Sequence, residues 1–129
     1  MESPFINFAV TRFVDQKSVL NSLKECAKRL ICEMHGVKAI YLFGSFAKGK
    51  ATPRSDADLL VIVGNEDRTP VDVVRDVANS YFISAPVPVD VFVLSKEKYE
   101  EECRTGRGVA GAVEKEGVLL ASKNSPVGV

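Results

Sequence analysis

The chain has 129 residues and balances 17 basic against 17 acidic side chains. That sets it at one domain and argues against a dedicated binder of long nucleic acid, while one loop could still supply charge for a small anionic ligand. Its 46% hydrophobic and 26% charged residues are those of a globular protein, not a disordered one.

Three cysteines (Cys26, Cys32 and Cys103) without a C-x-x-C pair read as free thiols in a reducing compartment. A single histidine, His35, excludes a histidine-rich zinc site. No apolar run approaches the ~20 residues of a membrane span. The start "MESPFINFAV" lacks the basic opening and long apolar stretch of a signal peptide. A soluble cytoplasmic protein, with no membrane partner, is the expectation.

Residues 1–17 read as an N-terminal arm, apolar with partial alternation, suited to an edge strand or a partner contact. From Ser18 the pattern is helical: Val19, Leu20, Leu23, Cys26, Ala27, Leu30, Ile31 and Met34 recur at spacings of three and four. Gly36 is the expected C′ stop, with His35 in the last turn. "KAIYLF", ending at Phe43, reads as a strand. Gly44–Ser45 reads as a sharp turn into a brief helix. "DADLLVIV" is the next strand, closed by Gly64–Asn65.

Thr69–Pro70 signals a helix start, with Thr69 as cap, Pro70 at N1 and Asp72 at N3. Val73, Val74, Val77, Ala78, Tyr81 and Phe82 form its expected buried stripe. "PVPVDVFVL" is a third strand with its prolines confined to the first part. Ser95 caps the charged helix "KEKYEEEC". A glycine-punctuated segment, a further helix and the short apolar "GVLLA" follow. "GRGVAG" formally fits G-x-G-x-x-G, but it follows a charged helical stretch instead of a strand and reads as a flexible helix–helix connection. The main domain spans 18–122, and a flexible tail runs over 123–129. The expected fold class is α/β (α+β): a small mixed β-sheet with helices packed on it. It is mixed because the first strand-to-strand link is short.

The chemistry concentrates between "AIYLF" and "LLVIV". A strand passing into a helix through Gly44–Ser45 leaves backbone N–H groups pointing outward. Glycine admits a ligand close to the main chain, Ser45 adds a hydroxyl, and the helix dipole adds positive charge. Together these make a phosphate cradle, with Lys48, Lys50 and Arg54 in the same loop. Asp56 and Asp58, two apart on a strand, project to one side with Cα atoms roughly 6–7 Å apart. Like charges that close raise each other's pKa unless a cation sits between them. Mg²⁺, held by one or two carboxylates plus substrate phosphates, suits the pair. Two such ions would clamp an in-line phosphoryl displacement. The plainer alternative is two solvated loop carboxylates.

Asp90 stands between valines in the third strand and shares a face with Phe92 and Leu94. It is either a solvated residue on an open face or, if this strand neighbours "DADLLVIV", a third converging acid. In the second case it would complete the metal site and help deprotonate an attacking hydroxyl.

"GSFAKGKATPRSDADLLV" resembles the "GSxARGxAxxxSDxDLxV" signature of the minimal nucleotidyltransferases, within the DNA polymerase β-type nucleotidyltransferase superfamily. The departure is Lys48 for the usual arginine, which keeps the charge but loses the bidentate fork. The detailed match covers about residues 38–63, and Asp90 falls where that family places its third acid.

The resemblance implies the polymerase β-type nucleotidyltransferase fold and Mg²⁺-dependent transfer of a nucleoside monophosphate to a hydroxyl, AMP from ATP first among the options, with pyrophosphate leaving. It implies that Gly44, Ser45, Lys48 and Ser55 bind nucleotide. Asp56, Asp58 and Asp90 would form the catalytic, metal-holding set. Small stand-alone members of the family often pair with a helical HEPN-domain protein in toxin–antitoxin systems, so the implied partner is such a protein, itself the acceptor. The chain ends soon after this core, which points to an acceptor arriving on another protein. The rival reading is a non-catalytic nucleotide- or protein-binding subunit with the same fold. Three retained acids count against it. The sequence leaves self-association open.

Overall fold

Four strands form one sheet in the order β3-β2-β1-β4. They are β1 (Val37–Phe43), β2 (Ala57–Val63), β3 (Val89–Ser95) and β4 (Val118–Ser122). The computed structural model describes residues 16–44, 47, 56–64 and 70–123. β1 pairs antiparallel with both β2 and β4, while β2 and β3 run parallel. The sheet is therefore mixed, as the short first link requires. The parallel pair is joined through α2 (Val71–Tyr81), the crossover that parallel strands need.

One face of the sheet carries the larger core. Leu59, Val61 and Val63 of β2, Val91 of β3, Ile40 and Leu42 of β1 and Leu120 of β4 are buried there. Against them pack Leu23, Cys26, Ala27, Leu30 and Ile31 of α1 (Gln16–Glu33), with Val74 and Ala78 of α2 and Phe82 just past it. The three-and-four spacing in α1 is thus a true buried stripe. β1 keeps Val37 on this face with Ile40 and Leu42 only because the register shifts between Val37 and Ala39. The extra residue lets the strand change its alternation there.

The opposite face is covered only in part. Phe43, Leu60 and Ile62 pack with Tyr99 of α3 (Lys96–Thr105) and with Val109, Ala112 and Val113 of α4 (Gly108–Glu116). Tyr41 stacks on Tyr99 with ring centroids 6.2 Å apart and an interplanar angle of 11°. Burial pushes the Tyr99 hydroxyl well above its usual range, helped by a hydrogen bond with Cys103.

Several local expectations need correction. α1 ends at Glu33, and Gly36 does not take the left-handed conformation of a C′ glycine. Past the helix end, Met34 O accepts from Val37 N at 3.1 Å and from Lys123 Nζ at 3.0 Å, and Lys123 Nζ also donates to His35 O. Lys123, the first residue of the expected tail, is also paired through its N–H to Lys38 O at 2.9 Å. Pro70 is the N-cap of α2, not its first helical residue, so Asp72 falls at N2. Val73 is 46% exposed and lies off the buried stripe.

Ser95 caps α3 as expected, its Oγ accepting from Lys98 N at 3.1 Å. "GRGVAG" is a tight corner, not a flexible link. It carries the C-cap of α3 and the first turn of α4, and Glu102 Oε1 accepts from Ala110 N at 3.2 Å across it. A Cβ at Gly111 would stand 2.6 Å from Gly106 O, so only glycine lets the two helices meet this closely. The N-terminal arm through residue 15, the brief helix expected after Gly44–Ser45, Thr69 and the tail from residue 124 lie outside the described residues. No helix among the described residues is long and apolar enough to cross a membrane.

Leu30 is fully buried in the larger core. Leu30→Ala should therefore cost about 2–5 kcal/mol in urea unfolding. Val73→Ala should stay within about 0.5 kcal/mol. Comparable losses for the two would mean that α2 presents a different face to the sheet.

Candidate active site

The C-terminal end of β1 and the N-terminal ends of β2 and β3 meet at one edge of the sheet. This follows from β1 running against β2 and β2 running with β3. Across that edge the register aligns Phe43 with Asp58 and Asp58 with Asp90. Alternation along β2 sends Ala57 and Leu59 to the larger core, so Asp58 joins Leu60 and Ile62 on the less covered face. On β3 the same alternation places Asp90, Phe92 and Leu94 together.

Gly44 follows Phe43 with φ +83°, a left-handed conformation. A Cβ on it would lie 2.5 Å from Asp58 Oδ2. The left-handed backbone favours glycine here, and any side chain would also have to displace the Asp58 carboxylate. The turn holds Asp58 beside the main chain where the strand-to-loop passage begins.

Asp58 is half-buried, whereas Asp56 and Asp90 are exposed. Asp56 immediately precedes β2, at the lip of the site. Burial pushes the Asp58 carboxyl above its usual value of 3.8, and the charges of Asp90 and then Asp56 push it further. Both neighbouring acids thus raise Asp58, the half-buried member of the three. Asp90, expected to be costly in mid-strand, reaches solvent, and it is also the in-register neighbour of Asp58.

The donor set is hard oxygen only, which fits Mg²⁺ better than a soft metal. Among the described residues no group of three such side chains is already drawn together around a metal-sized point. An ion held here would take much of its shell from substrate phosphates and water, as Mg²⁺ commonly does. Ser45, Lys48 and Ser55, expected to bind nucleotide, lie outside the described residues, as do Lys50 and Arg54.

Two aromatic rings share this face with the acids. Phe43 and Phe92 lie with ring centroids 5.6 Å apart, tilted by 56°. Phe43 is buried, and Phe92 is 39% exposed. Sequence reading placed Phe92 on the face of Asp90 but gave it no role. The alternation of β3 was the signal available, and it does not reveal that the ring stays open.

Residues 23–120 match the family described as "Nucleotidyltransferase domain". A Methanocaldococcus jannaschii protein named as a protein adenylyltransferase is 34% identical over 82 residues, which is 63% of this chain and 78% of that protein. In structure, the chain is similar to a Sulfolobus solfataricus protein described as a nucleotidyltransferase, with TM-score 0.59 and 24% identity over 85% of this chain and 86% of that one. It is also similar to a chain of a mutant form of the toxin–antitoxin complex MntA–HpeT, with TM-score 0.50 and 18% identity over 86% of this chain and 76% of that one. At these identities the structural likenesses speak to the α+β fold with its mixed sheet. The family match runs through all four strands, and with the adenylyltransferase relative it shows that the chain belongs to the nucleotidyltransferase domain family, as an adenylyltransferase-like enzyme.

Proposed function

We propose that this protein transfers AMP from ATP to a hydroxyl group on a partner protein, with Mg²⁺ as cofactor, in a toxin–antitoxin setting where the partner is a helical HEPN-like toxin. The observation that carries this reading is the row Gly44–Asp58–Asp90 along one sheet edge. The left-handed glycine that follows β1 stands at one end and the in-register carboxylates of Asp58 and Asp90 stand at the other. The name of the 34%-identical relative supports adenylyl transfer to protein. The toxin–antitoxin complex among the structures of like fold agrees with the setting.

The chain's own residues divide the work. Gly44 brings the main chain up to the polyphosphate, with Ser45, Lys48 and Ser55 completing the grip. Asp58, Asp90 and Asp56 would hold Mg²⁺, which when bound neutralises the developing charge on the phosphates. Asp90 lies farthest from the Gly44 turn and so faces the acceptor. There it takes or orients the proton of the attacking hydroxyl. The hydroxyl oxygen bonds to the α-phosphorus, the bond from that phosphorus to the bridging oxygen breaks, and pyrophosphate leaves with the electron pair. The rate gain comes from positioning and charge neutralisation.

The direct test is to co-express the chain with the product of the neighbouring gene and weigh that partner intact. Wild type should add the mass of one or more AMP groups, and Asp90→Asn should add none. A partner that binds but keeps its mass with wild type would overturn the reading.

Stability against pH gives a second check. The Asp58 carboxyl lies above 3.8 when folded, so the folded chain holds that proton more tightly than the unfolded one. Its contribution is most favourable below pH 3.8 and is lost as pH rises through the folded value. In chelator, Asp58→Asn should gain on wild type over that rise and hold the gain at neutral pH. Mg²⁺-ATP at a hundred times its Kd should stabilise wild type by roughly 2.7 kcal/mol and leave the variant unmoved.

Gly44→Ala should fold with a loss of at least about 1 kcal/mol, from the positive φ and the displaced Asp58 carboxylate. Its AMP transfer should fall by far more than that loss explains, measured as turnover of the folded fraction.

A further inference from the structure

We infer that Phe92, braced against Phe43, is the platform on which the base of the nucleotide stacks. This rests on the nucleotidyl-transfer reading of the same site and adds the base to it. Among the described residues five large apolar side chains are exposed: Val71, Val73, Ile83, Phe92 and Leu119. Phe92 alone of these shares both strand and face with Asp90. It stands one two-residue repeat further along β3, roughly 6–7 Å at Cα. The buried Phe43 ring meets it from the side, tilted by 56° with centroids 5.6 Å apart, so it is braced yet open.

The direction of the reaction leads to this ring. In-line displacement sets the attacking oxygen and the leaving pyrophosphate on opposite sides of the α-phosphorus. With the polyphosphate at the Gly44 turn on β1 and the acceptor beside Asp90 on β3, that axis runs across the strands. The ribose is bonded in the plane perpendicular to that axis, and one direction in that plane runs inward over the open face of the sheet. Inward, the first open surface after the carboxylate row is Phe92. A flat base gains there what water outside the edge cannot give. Stacking of this kind tolerates every base, because each has a π-face. The ligand class is therefore a nucleoside triphosphate, with discrimination among bases left to other contacts.

The experiment compares two ligands on the full-length chain by calorimetric titration: Mg²⁺-ATP, and Mg²⁺-tripolyphosphate, which has the phosphates without ribose or base. Phe92→Ala should weaken ATP by about 5- to 150-fold and leave tripolyphosphate unchanged. Phe92→Leu, which keeps apolar bulk without the ring, should also weaken ATP alone, and Phe92→Tyr should restore it. Equal weakening of both ligands would mean that the substitution disturbs the carboxylate row, and the platform falls. Unchanged ATP affinity in Phe92→Ala would also overturn the platform while leaving nucleotidyl transfer standing. Failure of wild type to bind Mg²⁺-ATP at all would remove the underlying reading and the platform with it.

Discussion

The site depends on the in-step pairing of two parallel strands. β2 and β3 place Asp58 directly beside Asp90, and the hydrogen-bond ladder between them resists the repulsion of the two carboxylates. A slip of one residue would send either acid into the opposite, apolar core, where an unpaired charge is far costlier. That core therefore enforces the register. Leu59, Val61 and Val91 must lie under α1 and α2, and the acids emerge on the other side as a consequence. The hydrophobic face does the positioning, and the carboxylates receive it.

The asymmetry of the two faces completes the arrangement. α1 and α2 close one side of the sheet, whereas α3 and α4 pack with Ala39, Tyr41, Phe43, Leu60, Ile62 and Leu94 on the other. The strip along β3 from Asp90 to Phe92 stays open. The tight corner at Gly106–Gly111 bears on this. It folds α4 back against α3, so that both helices pack on the same face of the sheet.

Much of this was legible in the chain itself. The three-and-four spacing of Leu23, Ala27 and Leu30 and the alternation of Asp58, Leu60 and Ile62 state their faces without ambiguity. The D-x-D pair, ten residues beyond Gly-Ser, carried the family as well. Other features were hidden because they depend on partners distant in sequence. Gly36 looked like a helix stop, but the helix end is met by Lys123, which nothing local predicts. Val73 fits the apolar pattern of α2 and still faces water, because the buried stripe of the helix runs through Val74 and Ala78 and position 73 is turned away from it. "GRGVAG" looked loose since glycine is usually read as freedom. Here it permits contact between helices.

β4 has a consequence for how the molecule comes together. It lies on the outer edge of β1, with Ala39 paired to Ser122, so β1 is flanked by its neighbour in sequence on one side and by the last described strand on the other. Contacts so far apart along the chain form late, since a long loop must close first. Until then β1 presents a bare row of N–H and C=O groups beside the apolar side chains of Ile40 and Leu42. Such an edge is a template for pairing with another copy. Changes that loosen β4, including loss of the Lys123 contacts that tie it to the end of α1, would thus show first as aggregation during folding, before any fault in the finished site.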